Sequence, residues 1–494
     1  MHEKNIKQQT VKQLKKNFPH WKQLTKKEKK KLAREVLEEV FHQYKFDEDV
    51  NEPLHVLTGT PAIPEGVIPL DRMEQFITGI TRGLFDMNMK RSQVYIKDDE
   101  LKAIDALLSD TVINTLLSYK GYTPSMHTLH PYHFFRAELL KSLKYPEMSY
   151  RRYCNLLNNL EKKTERAFVH LSLRKKEKIS HSQLSQFRGR LTFTHMVNMT
   201  IYALHLLIQS GKIPYPFTIC GVDSTDCAVP CNAHPLATIT VGDRKVRIYS
   251  DPDVDCGPRR SKRNKSAFFV GYRIHSLAAI DPETGNAITV CSLVAPANHH
   301  DTLFISQLVS LSKVMGLDMK IITADEAYRD VAQNESIQKD NSIHVIASPD
   351  PHVKAPEHTD GKNVYMNEWC DIPMKYAGRT DTGHEFACCD HDNTCLHASL
   401  CNKCREIPLD AGHFGQIPDT VPDVEKVRNM RKHMERAYNL LKHREGIEHI
   451  RITSQQGVMA VTTIAQIAEL LLEIAGTRKT EKKEDIQPGL AFGT

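Results

Sequence analysis

Little in this chain ties it to a membrane or a secretory route. No apolar run in its 494 residues approaches the about eighteen that a bilayer span needs. Residues 1–18 are polar and Lys-rich and lack the apolar core of a signal peptide. Both absences point to an intracellular protein with no membrane partner. In that setting the 12 Cys read as reduced thiols or metal ligands rather than a disulfide framework. Strong net charge is also missing: +6 permits nucleic-acid binding without arguing for it. No internal repeat is visible. Local charge therefore carries more information than the total.

What is present divides the chain in two. Residues 1–212 are patterned as helices. Thr25 and Glu28 form a capping-box pair, and Leu32, Val36, Leu37, Val40, Phe41 and Tyr44 follow as an apolar stripe. Further helical periods cover 70–86, 98–119, 132–143, 149–161 and 192–210, with Gly211 as a C-terminal cap and a short helix starting near Ser180. Residues 213–476 change to α/β patterning. Strands are expected at 217–222, 267–280, 287–294, 319–324 and 343–347, with a hairpin turn at 281–286. Helices are expected at 302–315, capped by Asp301, then at 328–338, 422–445 and 457–475. Residues from about 350 to 420 read as an irregular, Cys-rich insertion, and 477–494 as a disordered tail.

The segment from Arg428 to Lys442 reads as one helix. Offsets of three, four and seven place Arg428, Arg431, Glu435, Tyr438 and Lys442 on a single face. Taken alone, such a face is usually solvated and salt-bridged. Two upstream aspartates change its meaning. Asp223 follows the first strand and Asp325 the fourth; if those strands are neighbours, the carboxylates meet at one sheet edge, where a late helix can add Glu435. Three carboxylates suit a hard divalent ion such as Mg²⁺. Two such ions about 3.5–4 Å apart serve phosphoryl transfer. As isolated residues, Asp223 reads as a loop start and Asp325 as a helix cap, with Asp226 and Glu326 as sequence rivals.

These residues resemble the insertion-sequence DDE transposases whose glutamate motif is Tyr-x2-Arg-x3-Glu-x6-Lys. Arg431, Glu435 and Lys442 match that spacing, and Arg428 stands where the family has Tyr. Further matches are 222–225 around Asp223, 271–275 ending at His275, 295–301 ending at Asp301, and 325–328, with Ala327 where Gly is common. The resemblance covers roughly 215–475. It implies a ribonuclease-H-like catalytic domain in 213–476, behind an all-α N-terminal domain that binds transposon ends. It implies an enzyme in which Asp223, Asp325 and Glu435 hold two Mg²⁺ or Mn²⁺ ions and Arg428, Arg431 and Lys442 contact DNA. Water would cut at the transposon end, and the freed 3′-hydroxyl would attack target DNA. Its partners would be double-stranded DNA and a second copy, since two ends are joined. Its setting would be a prokaryotic cytoplasm, on the nucleoid. The alternatives are a metal-dependent nuclease of the same fold that does not join strands, and an inactive transposase-derived DNA-binding protein.

Two other features bear on this reading. Arg259, Arg260, Lys262, Arg263 and Lys265 form a basic run that suits phosphates, or simply a charged loop. Cys401 and Cys404, with Cys395 and either Cys389 or Cys388, have spacings compatible with a structural Zn²⁺, with Cys370 and His391 in reserve; the plain reading is a loop with reduced thiols. His275, His299 and His300 are placed near the site by the pattern, and for His275 a structural role is favoured.

Overall fold

The computed structural model describes residues 66–81, 93–118, 129–174, 177–241, 244–251, 253–259, 267–348, 375–379, 385–389, 404–407, 424–445 and 452–477. It also describes Thr25, Asn367, Ile372, Met374 and Ile450. The helix expected at 25–44 and the tail after 477 lie outside these residues.

Among the described residues, eight helices come first: α1 (Leu70–Thr81), α2 (Asp99–Leu107), α3 (Asp110–Leu116), α4 (Pro131–Lys144), α5 (Tyr150–Leu157), α6 (Lys163–Phe168), α7 (His181–Arg190) and α8 (Phe193–Gln209). Their starts are written in the sequence. Ser180 with Gln183 and Thr192 with His195 form capping boxes, and Gly211 follows α8 in the left-handed region. One expectation fails: 98–119 is two helices, not one. Ser109 caps α3 through the Val112 N–H, and the Leu108 carbonyl between the helices accepts from the buried Arg136 guanidinium. A buried charge rewards that break, and local pattern does not record it.

A mixed α/β region follows. Its main sheet holds β1 (Phe217–Ala228), β4 (Asp255–Arg259), β5 (Ala267–Ile280), β6 (Ala287–Pro296), β7 (Met319–Ala324) and β8 (His344–Ala347). The order is β4-β5-β1-β7-β8, with β6 also on β5. β5 and β6 form the expected antiparallel hairpin, β1 runs antiparallel to β5, and β1, β7 and β8 are parallel. A separate hairpin, β2 (Ala237–Val241) with β3 (Arg244–Ile248), and the strand β4 fall in a stretch read from sequence only as polar. Its signal was available: Gly242-Asp243 separates two alternating β-branched runs.

α9 (Leu303–Val314) covers one face of the sheet, where Phe304 stacks on His275 with centroids 3.8 Å apart. On the other face lie α12 (Lys432–Glu445) and α13 (Gln455–Ala475), reached after α10 (Val331–Asn341) and α11 (Val424–Asn429). Gly221 makes room for α12: a Cβ there would come within 2.5 Å of Met434 Cγ. Gln466 of α13 accepts from Ser292 of β6 at 3.2 Å. By length and composition α13 could cross a membrane, contrary to the sequence expectation, yet 78% of its apolar window is buried inside the protein. It packs on α8 and α4 as well as the sheet, so the helical and α/β parts share one continuous core.

Four local expectations are corrected. β1 does not stop before Asp223 but continues to Ala228, because β5 pairs with it as far as Gly271. Asp301 does not cap α9 with its side chain; Thr302 is the cap position, and the Asp301 carboxylate turns to Arg273 and Ser224. The helix expected at 328–338 begins as a 3₁₀ turn, Glu326–Tyr328, and then becomes α10, capped by Asp330. The Cys-rich insertion carries a three-stranded sheet of β9 (Lys375–Arg379), β10 (Glu385–Cys388) and β11 (Cys404–Ile407).

Candidate active site at the β1–β7 edge

Parallel pairing brings the two aspartates together. Val222 and Ala324 are register partners in β1 and β7, so Asp223 and Asp325 are the next residues on adjacent strands. In open α/β sheets, ligands bind beyond such carboxyl ends, where the strand order turns outward in both directions. β7 stops there because Asp325 leaves the sheet and accepts the Glu326 N–H at 2.7 Å. β1 continues, held by β5. Asp223 therefore sits beside a vacated strand position, largely buried, with a fifth of its side chain exposed.

Burial pushes the Asp223 carboxyl up to about 6. The Ser224 N–H, 2.7 Å from Asp223 Oδ1, and Arg431 pull it down, while Asp325 and Asp301 push it further up. Arg431 Nη1 lies 3.9 Å from Asp223 Oδ2, the outer limit of an ion pair. Acidic side chains thus outnumber the cation facing them. An all-oxygen donor set with excess negative charge fits a hard divalent cation. Among the described residues, however, no group of three or more His, Cys, Asp or Glu side chains is drawn close enough to hold an ion. Asp223 and Asp325 meet; Glu435 is exposed on the first turn of α12 and is not gathered with them.

The charged stripe is also corrected. Residues 424–445 are two helices, not one. The N–H groups of Met430, Arg431, His433 and Met434 bond carbonyls three residues back, a tight 3₁₀ passage between α11 and α12. It buries both Met430 and Met434 and moves Arg428 onto α11, off the Glu435 face. Glu435, Tyr438 and Lys442 keep their offsets on α12, and Arg431 lies in the turn just before it. Tyr438 is buried, and its hydroxyl donates to the Asp223 carbonyl, pinning α12 to β1. Lys442 is half-buried.

The rivals separate. Asp226 pairs with Arg273 at 3.4 Å, and Glu326 opens the 3₁₀ turn. His275 is fully buried and burial holds it well below its ordinary pKa, as a structural ring would be. Sequence reasoning underrated Arg273 and Asp301, which join at 3.1 Å behind the aspartates. Their signal was that the stretches carrying them, 271–275 and 295–301, are among those on which the sequence resemblance rests.

Of the basic run, Arg259 ends β4, while Arg260, Lys262, Arg263 and Lys265 lie outside the described residues. Of the zinc candidates, the Cys389 sulfur accepts from Asn367 at 3.0 Å, Cys404 is disulfide-bonded, and Cys395 and Cys401 lie outside the described residues. A cavity of about 740 Å³ lies elsewhere, lined by Lys141, Tyr150, Arg188 and Ser454 among others. It touches none of the three carboxylates, and the strand-edge site is favoured because its acidic groups meet there.

No family model matches the chain, and no curated protein matches it. Among solved structures, a cryo-EM structure of a piggyBac transposase synaptic complex with hairpin DNA aligns over 81% of this chain and 76% of that one. The identity is 10% and the TM-score 0.30. A likeness at that score carries no weight for the assignment of function.

Proposed function

We propose that the chain is a DNA transposase of the DDE type, acting through a ribonuclease-H-like domain. The observation that carries the reading is the placement of Asp223 and Asp325 side by side at the β1–β7 edge. Support comes from the sheet order, in which three antiparallel strands are followed by two parallel ones, and from the spacing of Arg431, just before the helix packed beside β1, to Glu435 and Lys442 on it.

In this reading Asp223 and Asp325, with Glu435 as the third carboxylate, would hold the divalent cations. The cation supplies Lewis-acid stabilisation of the phosphate and activation of the attacking oxygen. Arg431, 3.9 Å from Asp223, would be free to contact a DNA phosphate. Lys442 adds a second positive charge on the same helix face. Tyr438 fixes the helix to β1, so that Glu435 and Asp223 keep their relative height. Two copies act together, one at each transposon end.

The test is an in vitro assay on DNA spanning the boundaries of the element, with Mg²⁺ or with chelator. Wild type should cut and join only with Mg²⁺. Glu435→Gln should lose both steps while still retarding end DNA in a gel. Full activity of that variant would sink the reading. Cutting without joining by wild type would move the assignment to a nuclease.

A further inference from the structure

Behind the two aspartates lies a polar cluster that the proposed chemistry does not use. Asp301 Oδ1 accepts from Arg273 Nη1 at 3.1 Å and from the Ser224 hydroxyl at 3.3 Å, and it faces His275 Nδ1 at 3.8 Å. Arg273 is held in turn by Asp226 at 3.4 Å and by the Pro258 carbonyl at 2.9 Å. His275 Nδ1 lies 3.0 Å from the Tyr328 hydroxyl, and the Ser224 hydroxyl also reaches that oxygen. Ser224 directly follows Asp223. Tyr328 closes the turn that starts at Asp325, its N–H bonding the Asp325 carbonyl at 3.0 Å.

We propose that Asp301 is the positioning residue of this site: it clamps the Ser224 side of Asp223 to β5 and, through Ser224 and His275, to the Tyr328 turn that carries Asp325. The argument is geometric. Asp223 lies where β7 has already left the sheet, so ladder hydrogen bonds no longer fix its distance from Asp325. The bonds that cross this gap run through Ser224, Tyr328 and His275, and all three converge near one carboxylate. Asp301 is 15% exposed and His275 fully buried, so little water is available to replace a lost bond. Its role is that of an outer partner that orients ligands, a position whose loss commonly weakens metal affinity by about 10–100-fold.

The proposal rests on Asp223 and Asp325 being metal ligands, and its test separates the two ideas. Mn²⁺ binding to the full chain is measured by calorimetry, and amide hydrogen exchange is measured on the metal-free protein. Asp301→Ala should weaken Mn²⁺ binding at least about 10-fold and speed exchange in 222–228 and 324–329. Asp301→Asn, which keeps an acceptor oxygen, should restore part of both. Retardation of end DNA and the exchange of α13 should match wild type, as should every readout of the exposed-turn control Glu283→Ala. Wild-type exchange in both segments in Asp301→Ala and Asp301→Asn would overturn the clamp. If wild type binds no Mn²⁺, the metal reading fails, while the exchange data still decide the clamp.

Discussion

Two clusters of buried charge in this molecule are built on opposite plans. In the helical part, Arg136 is fully buried and bonds Asp105 at 2.7 Å and Asp110 at 2.6 Å. His170 bonds the same two carboxylates. Burial alone would push Asp110 up, yet Arg136 and His170 hold it below its ordinary value. Burial would likewise lower His170, but Asp105 and Asp110 raise it. Two acids thus meet two bases. At the β1–β7 edge, Asp223 faces Asp325 and Asp301 with a distant Arg431, and it is pushed up to about 6. The first cluster balances its charges internally, with only Asp105 Oδ2 left without a partner, and ties α2, α3 and α4 together. The second is short of positive charge.

The contrast can be broken by experiment, starting with the largest effect. Arg136→Met would leave Asp105 and Asp110 buried without their main partner. It should lower unfolding stability by about 3–5 kcal/mol in denaturant titrations near neutral pH. A loss below about 1 kcal/mol would mean that the helical cluster is not the balanced one.

Asp223→Asn should act with the opposite sign. The folded pKa of about 6 lies above the ordinary 3.8, so the folded state holds the extra proton between those values. Wild-type stability from this group therefore falls as pH rises from about 4 to about 6 and stays low above it. At pH 8 the metal-free variant should be more stable by on the order of 2 kcal/mol, and the gain should vanish near pH 4. A variant less stable than wild type at pH 8 would remove the contrast.

Tyr438→Phe should cost only about 1 kcal/mol, since one hydrogen bond to the Asp223 carbonyl is lost. Its use is to sharpen the comparison: cutting should fall more than stability if that bond serves the site.

Much of this was legible in the sequence because it depends on near neighbours along the chain. The β5–β6 hairpin, β7, the start of α7 near Ser180 and the left-handed Gly211 follow from alternation, helical period and turn chemistry at short range. Asp223, Asp325 and Glu435 could be named as candidates from strand ends and helix offsets. Other features follow from contacts between distant segments. The break between α2 and α3 serves Arg136 on α4, and the break between α11 and α12 serves the burial of Met430 and Met434. The run of β1 past Asp223 is set by β5, some fifty residues on. The Asp301 carboxylate abandoned the cap that its sequence position suggested because Arg273 and Ser224 are better partners in a buried place.

The sequence by itself determined most of the long helices, the central strands of the main sheet and which carboxylates are available, since propensity and period act within a few residues. Only the tertiary structure decided that β1 and β7 are parallel neighbours, that Asp223 and Asp325 meet, and that Glu435 stays outside their contact. Strand order and the balance of buried charge depend on which distant groups share a low-dielectric space, and no local pattern encodes that.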